Sequence, residues 1–302
     1  MTVDPPAAEP RMDAFRGDRV YLGADHARNE RRTWIVTAIC AAMLAAQIAG
    51  GLAFRSMALT AAGLHMAAHV AVLLVAALAY RLASRRRDDP RFAFGTGKIG
   101  VLAGFANAVL LATTALLIAV ESLERLIAPE SVDYDSAIPL ALAGLIVTGV
   151  CVLLLRPAQA SKQDADLNLS AAHLHLSADA LVGVLALGGL AVGRSLGWAW
   201  ADPAAGLAGA ALVAQFSWSL LRRTGAALLD LNPSPALSAE VRRRLEAAGE
   251  RVLDLHLWRL GPGHHAAIVV LEAVEPKDVG VYRARLSGLS GLSHLTIEVR
   301  RA

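Results

Sequence analysis

The sequence has very few cysteines, and it lacks the spacing that makes cysteines structural. Cys40 and Cys151 are the only two among 302 residues, and they form no CxxC pair. A disulfide framework or a zinc ribbon needs several cysteines at short spacings, so the sequence supports neither class. Each cysteine falls inside an apolar run, where we expect a packed core thiol.

The N-terminus lacks the apolar core of a secretory signal peptide. Its first twenty residues, MTVDPPAAEPRMDAFRGDRV, are polar and contain proline. A signal peptide would need an apolar segment of about 7–15 residues at this point. We therefore expect the first apolar run to remain in the protein as a membrane helix.

The chain also lacks a strong excess of charge of either sign. Its formal net charge is +3 and its pI is about 9.1. A basic pI is compatible with nucleic-acid binding, but the basic residues lie mainly between apolar runs, where membrane topology explains them better. We expect no nucleic-acid partner.

Apolar residues are what the sequence has in abundance. They make up 55% of it, and the mean hydropathy is +0.47, whereas a soluble domain has about 45–50% apolar residues. Crossing a hydrocarbon core of about 30 Å takes roughly 20 helical residues. Six windows are long enough: Thr33 to Phe54, Met57 to Ala83, Ile99 to Leu123, Ser136 to Leu155, Ala171 to Val192 and Pro203 to Leu221. The sequence predicts a polytopic α-helical membrane protein with six transmembrane helices within residues 33–224.

Basic residues alternate between rich and poor connections along the chain. The N-terminal arm (1–32) and the second connection hold six Lys or Arg each, whereas the first, third and fifth connections hold one each, Arg55, Arg125 and Arg194. Short cytoplasmic connections are enriched in Lys and Arg. We therefore expect both termini to be cytoplasmic, and the Ala and Arg content suggests a bacterial cytoplasmic membrane.

The pattern changes after the sixth run. Residues 225–235, which include Asn232-Pro233-Ser234-Pro235, are typical of a linker into a soluble domain at 236–302. We predict in this domain a helix at 236–248, strands at 253–260 and 266–271, a second helix with Pro276 in its first turn, and a last strand around Leu295, Ile297 and Val299. Leu253, Leu255 and Leu257 should share one strand face. The order α-β-β-α-β is typical of a small ferredoxin-like α/β domain.

Two of the apolar runs carry pairs of metal-binding side chains. LHMAAHV contains His65 and His69, and HLHLSAD contains His175 and Asp179. A spacing of four residues puts both members of a pair on one helix face, and polar groups within a span are costly enough to suggest function. Three imidazoles and one carboxylate suit tetrahedral Zn²⁺, Co²⁺ or Ni²⁺, whereas Mg²⁺ and Ca²⁺ prefer more oxygen ligands.

These side chains have two other interpretations, a structural hydrogen-bond network and a zinc protease. His173 lies about 200° around the helix from His175, so we expect it to face another helix. A structural hydrogen-bond network would use the same polar groups without a metal. A zinc protease is disfavoured, because Met66 stands where HExxH has its catalytic Glu and four protein ligands would close the site.

Seven segments in a fixed order carry a family resemblance. They are NERRT, SMALTAAGLHMAAH, RFAFGTGKIGVLAGFANA, VESLERL, NLSAAHLHLSADAL, DPAAGLAGA and DLHLWRLGPGHHA. Over nearly its whole length the chain resembles the cation diffusion facilitator (CDF) family of divalent metal transporters. It is most similar to the cobalt and divalent-metal efflux branch, DmeF.

The resemblance implies a transporter and not an enzyme. It implies a homodimer in the lipid bilayer, with a transport site in each protomer formed by His65, His69, His175 and Asp179. Alternating access would export Co²⁺, Ni²⁺, Zn²⁺ and Fe²⁺ in exchange for protons, with no resident cofactor. Lys98 and Asp230 would form a charged interlock near the dimer interface. A membrane metal sensor that binds metal without transport is the alternative.

Departures from the family pattern narrow these expectations. Phe92 and Thr96 replace the histidines that some members carry in the second connection, so we expect that peripheral site to be missing. Leu253, Val270 and Glu298 occupy the positions of the usual zinc cluster of the soluble domain. The domain's own histidines are then either ordinary surface residues or a different regulatory metal site: His256, His264, His265 and His294.

Overall fold

A computed structural model describes the protein over residues 20–54, 57–128, 133–157 and 165–302, without the side chains of residues 54, 57–62, 64 and 65. Most of the N-terminal arm, Arg55 and the middle of the fourth connection lie outside the described residues. Within these ranges, six long helices precede a small domain of mixed structure.

The six long helices are each apolar enough to cross a membrane. They are α1 (His26–Phe54), α2 (Met57–Arg85), α3 (Lys98–Ile127), α4 (Tyr134–Leu154), α5 (Leu167–Leu196) and α6 (Ala201–Leu228). At about 1.5 Å per residue, even the 21 residues of α4 reach about 30 Å. The predicted polytopic fold with six spans is confirmed.

Several helices begin earlier than hydropathy predicts. α1 starts at His26 instead of Thr33, and α5 starts at Leu167 instead of Ala171. The start of α5 is fixed by Asp166, whose side chain accepts hydrogen bonds from the backbone N–H groups of Asn168 and Leu169. Hydropathy marks the part of a helix that lies in lipid, whereas a capping carboxylate marks where the helix begins.

Helix α5 is the shared element of the membrane domain. One of its sides contributes Leu169 and Leu176 to a buried cluster with residues of α1, α2 and α4. Another side contributes Ala178 to a cluster with Leu111 of α3 and Val213 of α6. Helix α5 therefore packs against α1, α2 and α4 on one side and against α3 and α6 on another, and this packing fixes the position of its polar residues.

The C-terminal domain has the predicted order α-β-β-α-β. Its elements are α7 (Pro235–Glu246), β1 (Arg251–Gly261), β2 (His264–Ala273), α8 (Val279–Arg285) and β3 (Leu292–Arg301). The sheet order is β1-β2-β3, with β1 antiparallel and β3 parallel to β2. Leu245 of α7 and Tyr282 of α8 are buried against Val269 and Leu271 of β2. The parallel pair needs a crossover, which α8 supplies.

Two local predictions in this domain are wrong. Pro276 precedes α8 instead of lying in its first turn, because Asp278 caps the helix by accepting a 2.7 Å hydrogen bond from the N–H of Gly280. Leu253 is 42% exposed and does not share the inner face with Leu257. A register shift between Val252 and Asp254 turns Val252 inward in its place.

The C-terminal domain is seated directly on one end of the helix bundle. Gly97, just before α3, and Gly261, at the end of β1, approach so closely that a Cβ atom on either would collide with backbone. Tyr21 and Leu260 are buried together beside them, and the ring of Phe94 packs edge-on against Trp258 at 5.5 Å between centroids. The strand β1 is therefore in contact with the ends of transmembrane elements.

Candidate metal centre

Three of the predicted ligands meet between α2 and α5. The Nδ1 atom of His69 lies 3.1 Å from Oδ2 of Asp179, and Nε2 of His175 lies 3.3 Å from the same oxygen. The two imidazole rings stand at 79° to each other, with 5.4 Å between centroids. Among the described residues, this is the one group of three or more His, Cys, Asp or Glu with ligand atoms close enough to hold an ion.

These distances fit the coordination of one transition-metal ion. Nitrogen and oxygen ligands at about 2.1 Å from a tetrahedral ion stand about 3.4 Å apart. The two measured imidazole to carboxylate distances, 3.1 and 3.3 Å, are close to that value. The side chains therefore need only small adjustments to bind a divalent cation, whose fourth position is left for another ligand.

The centre is enclosed by the bundle. His69 and His175 are each 3% exposed, and the side chain of Asp179 is 7% exposed. Ionisable groups removed from water need partners, and a carboxylate between two imidazoles supplies them. The pairing of His175 with Asp179 across one turn of α5 follows from helix geometry alone.

The structure describes the side chain of only one of the two remaining histidines of the motifs. His65 lies in α2, one turn before His69, but its side chain is outside the described residues. Its role as the fourth ligand stays a prediction. His173 is half-buried and lies close to the backbone of Val152 in α4, which agrees with the expectation that it faces another helix.

The predicted interlock residues form an ion pair within one chain. The Nζ atom of Lys98 donates to Oδ1 of Asp230. Lys98 is the first residue of α3, and Asp230 follows α6 with a left-handed backbone, φ +56°. A cation at a helix N-terminus and an anion at a C-terminus each oppose the helix dipole, so pairing offsets both costs. Whether this pair acts at a dimer interface stays a prediction.

The histidines of the C-terminal domain have separate local partners. His256 lies 2.7 Å from Asp254, and His264 lies 2.7 Å from the hydroxyl of Ser293. His265 is buried near the carbonyl of Gly291, and His294 packs against the ring of Phe94. In the described part of one chain, no three of them form a metal-binding group. The regulatory site remains untested, since a second chain could contribute ligands.

A polar network at the start of α5 was not predicted from the sequence. Besides capping α5, Asp166 accepts hydrogen bonds from the hydroxyl of Tyr80 and from Nδ2 of Asn29, the latter at 3.1 Å. Arg259 of β1 donates to the carbonyl oxygen of Ala165 in the same turn. An Asp directly before an apolar helix is a recognised N-cap signal, but its partners from distant helices have no local pattern.

Comparison with known proteins identifies the class. The family model of the cation efflux transmembrane domain matches residues 33–229, which run from within α1 to the residue after α6. The chain therefore belongs to the cation efflux (CDF) family of membrane transporters, and the resemblance seen in the motifs is confirmed.

Three curated proteins illustrate the relationship. The chain is 29% identical to the metal cation efflux system protein CzcD of Cupriavidus metallidurans over 93% of this chain and 91% of that protein. It is 33% identical to the zinc transporter ZitB of Escherichia coli over 77% and 74% of the two chains. It is 26% identical to the cadmium, cobalt and zinc/H(+)-K(+) antiporter of Bacillus subtilis over 83% and 82%. The protein is thus a multi-pass membrane transporter of metal cations.

Proposed function

We propose that the protein exports divalent transition-metal cations from the cytoplasm in exchange for protons, with Co²⁺, Ni²⁺, Zn²⁺ and Fe²⁺ as substrates. The observation that carries this proposal is the buried group of His69, His175 and Asp179 across two spans. The names of the relatives, which include metal cation efflux, zinc transport and cadmium, cobalt and zinc antiport, support the substrate class.

Proton exchange follows from the chemistry of the ligands. An imidazole binds metal only in its neutral form, so a proton and a metal ion compete for the same nitrogen. Asp179 lies within 3.3 Å of nitrogens of both rings. When the metal leaves, a protonated imidazole would pair with this carboxylate, and the buried centre would keep a compensated charge. Protons on the far side of the membrane would thereby displace the ion and return inward.

Alternating access would use the packing of α5. The buried cluster that joins α1, α2, α4 and α5 includes Met66 and Leu176, which are close in sequence to His69 and His175, whereas α3 and α6 pack against another side of α5. A tilt of the first group relative to the second would open the centre to one side of the membrane at a time. The fourth ligand in this proposal is His65, one helical turn from His69.

The proposed setting is a bacterial cytoplasmic membrane with both termini inside. The charge bias of the connections supports this orientation, which places the C-terminal domain in the cytoplasm. We further propose that the working unit is a homodimer. Each protomer would hold its own ion, because the three ligands of the centre all come from α2 and α5 of one chain.

A metal sensor is the second candidate function. The contact between Arg259 of the C-terminal domain and Ala165 near the start of α5 favours it. Such a contact would transmit metal binding at the ligands on α5 to the C-terminal domain. A sensor would bind the same ions without moving them. An exporter and a sensor would therefore use the same metal ligands and would differ only in whether the ion crosses the membrane.

Purified protein in sealed proteoliposomes with an imposed pH gradient separates the two. We expect accumulation of Co²⁺ or Zn²⁺ against an opposing proton flux, read with an entrapped metal indicator and an entrapped pH indicator. The His69→Ala and Asp179→Ala variants should lose both signals, and His173→Ala, a histidine outside the centre, should keep them. Wild-type protein that binds the four ions but moves none of them would reject export and leave the sensor.

A further inference from the structure

The only two cysteines of the chain meet inside the membrane domain. Cys40 of α1 and Cys151 of α4 are 2% and 0% exposed, and their sulfur atoms lie 3.9 Å apart. The sequence gives no sign of this contact, because 111 positions separate the two thiols along the chain. Folding brings both into the buried cluster that also contains Met66 and Leu176.

We propose that Cys40 and Cys151 form a second metal subsite, which binds a thiophilic divalent cation such as Cd²⁺ or Zn²⁺ through two thiolates beside the His69, His175 and Asp179 centre. This inference goes beyond the proposed function, since a sulfur subsite can bind metal whether or not the protein transports it.

The distance between the sulfur atoms fits two ligands of one ion. Two cysteine sulfurs bound at about 2.3 Å to a tetrahedral Zn²⁺ stand about 3.8 Å apart. The measured separation is 3.9 Å. A disulfide would instead require about 2.05 Å. The thiols are thus spaced for a shared ion without movement of α1 or α4.

Charge balance also favours a cation between these sulfurs. On binding, each thiol loses one proton and the two thiolates neutralise the two charges of the ion. The described ligands of the neighbouring centre, two neutral imidazoles and one carboxylate, leave one positive charge uncompensated. A neutral complex is less costly in an apolar layer than a charged one. Soft thiolate ligands prefer Cd²⁺ and Zn²⁺ over hard ions.

The subsite is adjacent to the proposed path of the cation. Met66, which packs in the same cluster as both cysteines, lies on α2 one turn from His69. Leu176 of that cluster directly follows His175. An ion at the histidine centre and an ion at the sulfur pair would therefore occupy neighbouring positions in one bundle.

Cadmium titration of the reduced full-length protein tests the proposal. Thiolate-bound Cd²⁺ gives an ultraviolet sulfur-to-metal absorption, and with no other cysteine in the chain this signal has a single source. We expect the absorption in wild-type protein and in Asp179→Asn, and its loss in Cys40→Ser and Cys151→Ser. Cys40→Ala and Cys151→Ala repeat the test if a serine variant is not monodisperse.

Three results would overturn the proposal. They are no sulfur-to-cadmium absorption in wild-type protein with both thiols free, an absorption unchanged in the serine variants, and a thiol count showing that the reduced protein retains a Cys40–Cys151 disulfide. Failure of this proposal can be distinguished from failure of the proposed export function. Wild-type protein that moves Zn²⁺ without the absorption rejects the subsite alone, and protein with the absorption but no flux rejects export alone.

Discussion

Arg259 of strand β1 donates a hydrogen bond from its guanidinium to the carbonyl oxygen of Ala165, two residues before the start of α5. Its Nε also donates to the carbonyl of Gly261 at 3.2 Å, and the residue is 5% exposed. His175 lies about ten residues further along α5, or about 15 Å at 1.5 Å per residue. One buried side chain of the C-terminal domain is thus tied to the helix that carries two proposed metal ligands.

Replacement of Arg259 by Ala should weaken the contact between the C-terminal domain and the helix bundle. The change removes a charge-assisted hydrogen bond and leaves the Ala165 carbonyl without this donor, a loss of about 1–3 kcal/mol. We expect a lower melting temperature and slower metal flux in proteoliposomes. Arg251→Ala is the matched control, since Arg251 is on the same strand but pairs with Glu272 at the exposed surface. Equal melting temperatures and equal flux in the two variants would contradict a role for the Arg259 contact.

The metal centre predicts that replacing a ligand affects metal flux much more strongly than replacing the nearby His173. Asp179→Ala removes the carboxylate that contacts both imidazoles, and His69→Ala removes one of the nitrogens. Each should lower the initial rate of Co²⁺ or Zn²⁺ flux by about tenfold or more, because even an outer partner of a metal ligand contributes about 10–100-fold. Gel filtration should show the same oligomer for both variants as for wild type. His173→Ala, on the α4 side of α5, should retain the flux, and a similar loss in that variant would place the site elsewhere.

The choice of metal should respond to the chemistry of position 69. His69→Asp replaces a borderline nitrogen ligand with a hard oxygen, which shifts preference toward ions such as Mn²⁺. Competition of Mn²⁺ against Co²⁺ in the flux assay measures this shift. His69→Asn serves as the control, because it has a similar size without the negative charge. An unchanged ratio of Mn²⁺ to Co²⁺ in His69→Asp would argue against His69 as a direct ligand.

The spans and the ligand pairs follow from local signals in the sequence. Hydropathy finds α1 to α6, and the four-residue spacing predicts that His175 and Asp179 share a helix face. The Arg259 contact has no such signal, since its acceptor is the backbone of Ala165, which any residue would offer. Cys40 and Cys151 are likewise uninformative until α1 and α4 are packed. Leu253 shows a further limit, because a β-bulge reverses which residue faces inward and the alternation of leucines does not reveal it.

The Lys98 and Asp230 pair is a testable part of the proposed dimer. Both side chains are partly exposed, at 32% and 49%, so the screened interaction should contribute only about 0.2–1 kcal/mol to the fold of one chain. If the pair also orders the dimer interface, a Lys98→Ala and Asp230→Ala double-mutant cycle should show additional coupling in the dimer dissociation constant. The solvated pair of Arg87 and Asp88 is a suitable control, since both side chains are exposed. Additive effects of the two substitutions on dissociation would reject the interlock.

The C-terminal domain contains a buried ion pair whose effect on stability should depend on pH. Arg285 donates two hydrogen bonds to Glu250, at 2.8 and 2.9 Å, and these bonds hold the pKa of the Glu250 carboxyl below its ordinary value. A carboxyl with a lowered pKa in the folded state stabilises the fold above the unfolded pKa of about 4.3, and this contribution is lost as pH falls through the folded pKa.

Glu250→Gln should therefore destabilise the C-terminal domain by about 1–3 kcal/mol at neutral pH, and by progressively less as pH falls below about 4. Hydrogen exchange of β1 and β2 in the full-length protein measures the difference while the membrane helices stay folded. Glu298→Gln is the control, because Glu298 pairs with Arg300 on the exposed surface of β3. A Glu250→Gln effect of constant size from neutral to acid pH would show that shape, and not the charge of Glu250, stabilises this part of the domain.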